Sequence, residues 1–170
     1  MKPHVTEATL RDFLRRECVS LSAPGEDPDI VALLERIAAL LSAGDEALRG
    51  ARLLVEHAVY SQAMNSLEEV IMRFGEVTAL AYDCTIPGGD GYHWKAAEIV
   101  RLYCEAMRPD LARSAGQFQR LREKRNKVKY QGETIGDADV ALFRKVVDQF
   151  VPAFRSEPRD RLLRNFAKAR

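Results

Sequence analysis

Leu111-Ala112-Arg113-Ser114-Ala115-Gly116-Gln117-Phe118-Gln119-Arg120-Leu121-Arg122-Glu123-Lys124-Arg125-Asn126-Lys127-Val128-Lys129-Tyr130-Gln131-Gly132 decides how this 170-residue chain is read. Leu111, Ala115, Phe118 and Leu121 keep the i, i+4, i+7 rhythm of one buried helical face. Seven residues beyond Phe118 that face arrives at Arg125, a cation where the pattern asks for a core residue. An unpaired buried charge costs several kcal/mol, so Arg125 must meet either an internal acid or an anion from outside. Glu56, Glu98 and Glu105 are candidates for the internal acid, and in that case Asn126 would cap a neighbouring helix end.

Outward from this stretch nearly every segment has helical periodicity. Thr6 or Thr9 can cap a first helix to about residue 21, with Leu10, Phe13 and Leu14 apolar. Asp27-Pro28 reads as the start of a second, with Ile30, Leu33, Leu34, Ile37, Leu40 and Leu41 on one side and Gly44 as its stop. A long helix from Asp45 to about Phe74 follows, with Gly75 as its end and a short helix over 77–82 after it. The loop Thr85-Ile86-Pro87-Gly88-Gly89-Asp90-Gly91 precedes a helix over 92–107, and Pro109 opens the one that carries Arg125. Asp137 caps a helix through Val140, Phe143, Val146, Val147 and Phe150; Pro152 and Pro158 disturb its end, and a basic helix closes the chain. No alternating strand pattern and no repeat interrupts this. The expected fold is an all-α up-and-down bundle of about five to seven helices.

Composition agrees with one globular domain, since 46% apolar and 30% charged residues are ordinary values for a chain able to bury a core. No run approaches a membrane span, and the first residues carry no apolar stretch of the secretory kind. Cys18, Cys84 and Cys104 lack any C-x-x-C spacing, which suits reduced thiols in the cytoplasm. The net charge of +1 conceals a split: residues 1–109 hold 11 Lys/Arg against 17 Asp/Glu, and residues 110–170 hold 15 against 8. Either a polyanionic partner or internal pairing would balance it.

Several chemistries fail on spacing. The loop over 87–91 lacks the G-x-x-x-x-G-K-[ST] pattern and follows no strand, so it is no phosphate-binding loop. His4, His57 and His93 form no H-x-x-x-H pair, no metal site is expected with Cys84 or Cys104, and no cofactor is called for. Glu68-Glu69 reads as a solvated helix face, and no nucleophile elbow supports serine catalysis. What remains is the basic stretch: Arg120, Arg122, Lys124, Arg125, Lys127 and Lys129, with Glu123 the one acid among them. On a helix Arg125, Asn126 and Tyr130 fall at about 0°, 100° and 140°. Together they offer a bidentate cation, an amide and a phenol, a plausible grip on a phosphodiester.

The order Leu121-Arg122-Glu123-Lys124-Arg125-Asn126-Lys127-Val128-Lys129-Tyr130 resembles the HEPN superfamily of small helical bundles. Its hallmark is an Arg, often followed by Asn, with a His four to six residues on; here Tyr130 stands at the His position. Tyr60, Ala63 and Leu67 resemble the family's first bundle helix. Gly91-Tyr92-His93-Trp94 is similar to its Gly-aromatic helix start, and 137–150 to its closing helix. The resemblance spans about 45–154. It implies a HEPN-like bundle over 44–154, an N-terminal helical extension over 1–43 and a basic C-terminal helix over 155–170. It also implies a homodimer acting on RNA, in which Arg125 stabilises phosphate, Asn126 orients the site, and Arg120, Arg122, Lys124, Lys127 and Lys129 bind nucleic acid. Many members are metal-independent endoribonucleases of toxin–antitoxin or defence systems; others are non-catalytic modules paired with a toxin or nucleotidyltransferase. A phenol with an ordinary pKa near 10 is a poor base at neutral pH, so Tyr130 leaves cleavage open. His93 and His57 are other imidazoles, which the sequence alone does not place beside Arg125.

Overall fold

In the computed structural model, residues 5–167 are described; the side chain of Arg159, together with His4, Lys168 and Arg170, lies outside what is described. Thr6 caps α1 (Glu7–Glu17) through a reciprocal box with Thr9, and Leu10, Phe13 and Leu14 turn inward. Asp29 accepts from the Ala32 amide at 3.1 Å and opens α2 (Ile30–Glu56), two residues later than Asp27-Pro28 suggests. Then come α3 (Tyr60–Leu80), α4 (Tyr92–Met107), α5 (Pro109–Gln131), α6 (Asp137–Lys145) and α7 (Val151–Ala167). Two short strands, β1 (Val19–Ser20) and β2 (Cys84–Thr85), pair antiparallel with Ser20 opposite Cys84. The architecture is an all-α bundle, with little strand among the described residues. No described helix is long and apolar enough to cross a membrane.

The two glycines read as helix stops are contacts between helices instead. Gly44 is buried inside α2, where an added Cβ would lie 3.7 Å from Arg73 Cβ. Gly75 is buried inside α3 against the backbone of Ala96 on α4. Removing a side chain lets two helix axes approach, and both helices continue through. The real break falls at 57–59, where Ala58 takes φ +57° and the Val59 amide reaches the Leu54 carbonyl at 2.7 Å. A non-glycine residue in the left-handed region costs about 1 kcal/mol, which the antiparallel packing of α2 on α3 offsets.

The boundaries expected at 43/44 and 154/155 both fall within helices, α2 and α7. Between α6 and α7 a wide π turn (Val146–Phe150) carries the chain on without a stop and buries Val146, Val147 and Phe150. Pro152 follows this turn, where the Val151 amide reaches back to the Val146 carbonyl, so the missing proline N–H does not end the helix. The main core joins α1 through α6, with Leu67, Val70, Ile99, Tyr103, Phe118 and Phe143 among its members. A second cluster joins the start of α2, the end of α3 and α7: Leu33 and Ile37, Val77, Leu80 and Ala81, and Leu162. The final helix is therefore docked along that side.

Three of its cations stand beside acids. Arg155 pairs with Asp45, Arg161 with Glu7, and Arg164 Nη2 lies 3.7 Å from Glu157. Much of the charge split closes internally. Burial alone would raise the Glu7 carboxyl, but hydrogen bonds from Arg161 and Arg11 outweigh it and hold the group below its ordinary value of 4.5. A depressed carboxyl contributes stability that is complete above its unfolded pKa and is lost as pH falls through the folded one. The Tm advantage of the native protein over Glu7→Gln should therefore shrink between about pH 5 and pH 3. A difference independent of pH in thermal melts would show that shape, not charge, sets the role of Glu7.

Candidate nucleic-acid interface

Pro109 at the first position and Gly132 at φ +70° bracket α5, and Leu111, Ala115, Phe118 and Leu121 are buried as the periodicity requires. The stripe then delivers Arg125 to the rim of the core, with its side chain 20% exposed. Each of its three nitrogens is engaged. Nε donates to Asn65 Oδ1 at 2.8 Å and Nη1 to Asn126 Oδ1 at 3.0 Å, while Nη2 lies 3.0 Å from Glu68 Oε2. The internal acid is thus Glu68, not Glu56, Glu98 or Glu105; Arg101 occupies the last two.

Glu68 is not on a solvated face. Its side chain is 10% exposed, and a second cation, Arg122 at 16% exposure, brings Nε to 3.4 Å from Oε1. His93, at the first turn of α4, places Nδ1 3.8 Å from that same oxygen and is 57% exposed. Met64, Leu67, Phe118 and Leu121 line the crevice beneath. Residues from three helices meet here: Asn65 and Glu68, three apart on one face of α3, His93 of α4, and Arg122, Arg125 and Asn126 of α5. With His93 neutral, two guanidiniums and one carboxylate leave a net charge of +1. A guanidinium has five N–H donors, and three contacts leave two for a further acceptor. Arg125 is held in place but remains open to solvent along one edge.

The remaining cations divide. Lys124 turns toward α6, 3.0 Å from Glu133 and 3.6 Å from Asp139, and the hydrogen bond to Glu133 holds its ammonium above the ordinary lysine value. It ties the end of α5 to the start of α6. Arg120, Lys127 and Lys129 have no acid within ion-pair distance among the described residues, and neither has Arg113 two turns further back. Tyr130 stands apart from Arg125 and Asn126. It is 72% exposed, with Lys129 Nζ 5.1 Å from its ring centre and no hydrogen bond to either. The expected Arg125, Asn126 and Tyr130 trio is therefore a bonded pair plus a projecting ring.

Sequence reasoning missed Asn65 and misplaced Glu68. The signal was present, since Met64 and Ile71 flank Glu68 at helical spacing and both are buried. Thiolate chemistry is poorly served. Burial pushes Cys18 up to about 11 and raises Cys84 and Cys104 as well. No group of three His, Cys, Asp or Glu side chains with metal-binding geometry occurs among the described residues. Comparison with protein-family models, with curated proteins and with solved structures returns no match.

Proposed function

We propose that this is a HEPN-like RNA-binding protein, cytoplasmic and homodimeric, that engages RNA along the basic end of α5 around Arg125, Asn126 and Tyr130. One observation carries the reading: α5 holds cations that the fold leaves unbalanced. Arg155 and Arg161 of α7 find acids, and the other cations without an ion pair among the described residues (Arg16, Arg36, Arg49, Arg144 and Lys145) are spread over α1, α2 and α6. On α5, Arg122 and Arg125 share one carboxylate, and Arg120, Lys127 and Lys129 have none. Beside them Tyr130 projects an exposed ring, and base stacking on such a ring contributes about 1–3 kcal/mol per base. A role in a toxin–antitoxin or defence system follows from the resemblance of Arg125-Asn126 and its surroundings.

The test is fluorescence anisotropy with a mixed-sequence single-stranded RNA across a salt series. The logarithm of affinity should fall linearly with the logarithm of salt concentration, with a slope near −0.7 for each phosphate neutralised. Arg120→Ala and Lys127→Ala should each weaken binding regardless of sequence and lower the steepness by roughly one phosphate contact. Tyr130→Ala should weaken it at least about fivefold with no change in slope. Affinity indifferent to salt, or no binding at all, would defeat this reading. It would leave the competing one, a non-catalytic module that pairs with a toxin or nucleotidyltransferase, to be sought by co-purification.

A further inference from the structure

Between α1 and the β1–β2 ribbon lies a cavity of about 310 Å³, to which no residue of α5 contributes. That volume is at the lower end of the range for small-molecule sites. Its floor is apolar: Leu14 is buried, and the Tyr82 ring and the thiols of Cys18 and Cys84 are half-buried. Burial pushes Cys18 up to about 11 and raises Cys84 too, so both thiols stay neutral and act as small apolar groups. Arg11 and Arg15 stand exposed at the rim, and among the described residues no carboxylate lines the cavity. A neighbouring hollow of about 640 Å³ shares Arg11 and Tyr82 but is lined by Glu7 and Asp83, which repel an anion. The smaller cavity is the one suited to negative charge.

Both rim cations can change partner at little cost. Arg11 donates to Glu7 Oε1 from Nη2 at 2.9 Å and from Nε at 3.2 Å, with its Cζ 4.9 Å from the Tyr82 ring centre. Glu7 is also paired with Arg161, whose side chain is only 12% exposed. The carboxylate therefore keeps a well-buried cation when Arg11 turns away. Arg15 pairs with Asp12 at 2.9 Å, and both side chains lie largely in water, where such a contact contributes little. We propose that this cavity binds a small amphipathic carboxylate, its apolar body on Leu14, Tyr82 and the two thiols and its head held by Arg11 and Arg15. A guanidinium matches a carboxylate through two parallel N–H bonds. A wholly polar anion would leave the floor uncovered, and a neutral apolar molecule would leave the guanidiniums unmatched. The site is separate from the α5 surface and does not depend on the RNA-binding reading.

The probe is 3-phenylpropionate, titrated calorimetrically into the full-length protein, with 3-phenylpropanol as the neutral control and acetate as the purely polar one. The native protein should bind 3-phenylpropionate at least about tenfold more tightly than either control, the effect of one charge-assisted hydrogen bond. Arg11→Gln should lower that affinity at least about tenfold. Its Tm without ligand should stay near the native one, because Glu7 retains Arg161. Arg15→Gln should weaken binding as well, and it serves as the second variant should Arg11→Gln unfold. Bound probe should slow alkylation of Cys18 and Cys84 by iodoacetamide, read peptide by peptide in a mass spectrometer. Cys104, buried and outside the cavity, should be unaffected. Equal affinity for the alcohol, undiminished binding in both arginine variants, or no protection of Cys18 would overturn the assignment. So would the absence of binding at millimolar 3-phenylpropionate.

Discussion

Gly75→Ala is expected to cost the fold about 2–3 kcal/mol, even though alanine is the better helix former by roughly 1 kcal/mol. A Cβ at this position would stand 2.5 Å from the Ala96 carbonyl oxygen, 2.7 Å from its Cα and 2.8 Å from its Cβ. None of these atoms belongs to a side chain that can swing away. Relief requires α3 and α4 to separate, and the contacts of Phe74, Ile99, Val100 and Tyr103 in the main core would loosen with them. Gly44→Ala is the matched control. Its new methyl meets only Arg73 Cβ at 3.7 Å, an ordinary contact, so the propensity gain should leave stability unchanged or slightly raised. Urea unfolding of both variants checks the pair. Equal midpoints would show that the α3–α4 interface tolerates the extra methyl and that Gly75 is there for another reason.

The same two residues show where the sequence misleads. Glycine lacks a side chain, and composition alone cannot tell whether that lack ends a helix or lets another helix approach. Both Gly44 and Gly75 look like terminators along the chain, yet both lie inside continuing helices, and Gly75 is a point of close packing. The actual reversal at 57–59 contains neither glycine nor proline. It is imposed by the need to fold α2 back on α3, a tertiary requirement with no local mark beyond an alanine held at φ +57°. Where local chemistry is decisive, the reading succeeds. Pro109 starts α5, Gly91 precedes α4 and Thr6 caps α1, because each acts on the helix end it adjoins.

The site divides along the same line. Arg125 was legible because it breaks an apolar rhythm within its own helix. Its partners Asn65 and Glu68 lie some sixty residues away. The adjacent Glu69 made Glu68 look like half of an exposed acidic pair, although Glu69 is taken by Arg73 and Glu68 alone turns inward. The basic tail was ambiguous for a related reason. Charge counts record an excess of cations over 110–170 but not that Arg155 and Arg161 reach back to Asp45 and Glu7. Pairing depends on tertiary geometry, and the raw count cannot say which cations, such as Arg120, Lys127 and Lys129 on α5, are left over.

Glu68→Ala should destabilise the protein by about 2–3 kcal/mol, somewhat less than the 3–5 typical of breaking a fully buried pair. The discount arises because both Arg122 and Arg125 keep an edge in solvent, where water recovers part of the lost interaction. Glu68→Gln preserves the shape and one acceptor and should cost about half as much. Stability and RNA affinity should then move in opposite directions. Removing the carboxylate takes the cluster from a net charge of +1 to +2, so folded Glu68→Gln, assayed well below its Tm, should bind RNA more tightly at low salt and with a steeper salt dependence. Arg125→Ala separates the contributions differently: Glu68 keeps Arg122, stability drops less than in Glu68→Ala, and affinity falls instead of rising. A double-mutant cycle between Glu68→Ala and Arg125→Ala should give a coupling of about 1 kcal/mol or more, as expected for groups in one network. If Glu68→Gln weakened RNA binding in step with its loss of stability, the carboxylate would be holding Arg125 in a binding-competent pose. The surplus charge would then not be what draws the phosphate.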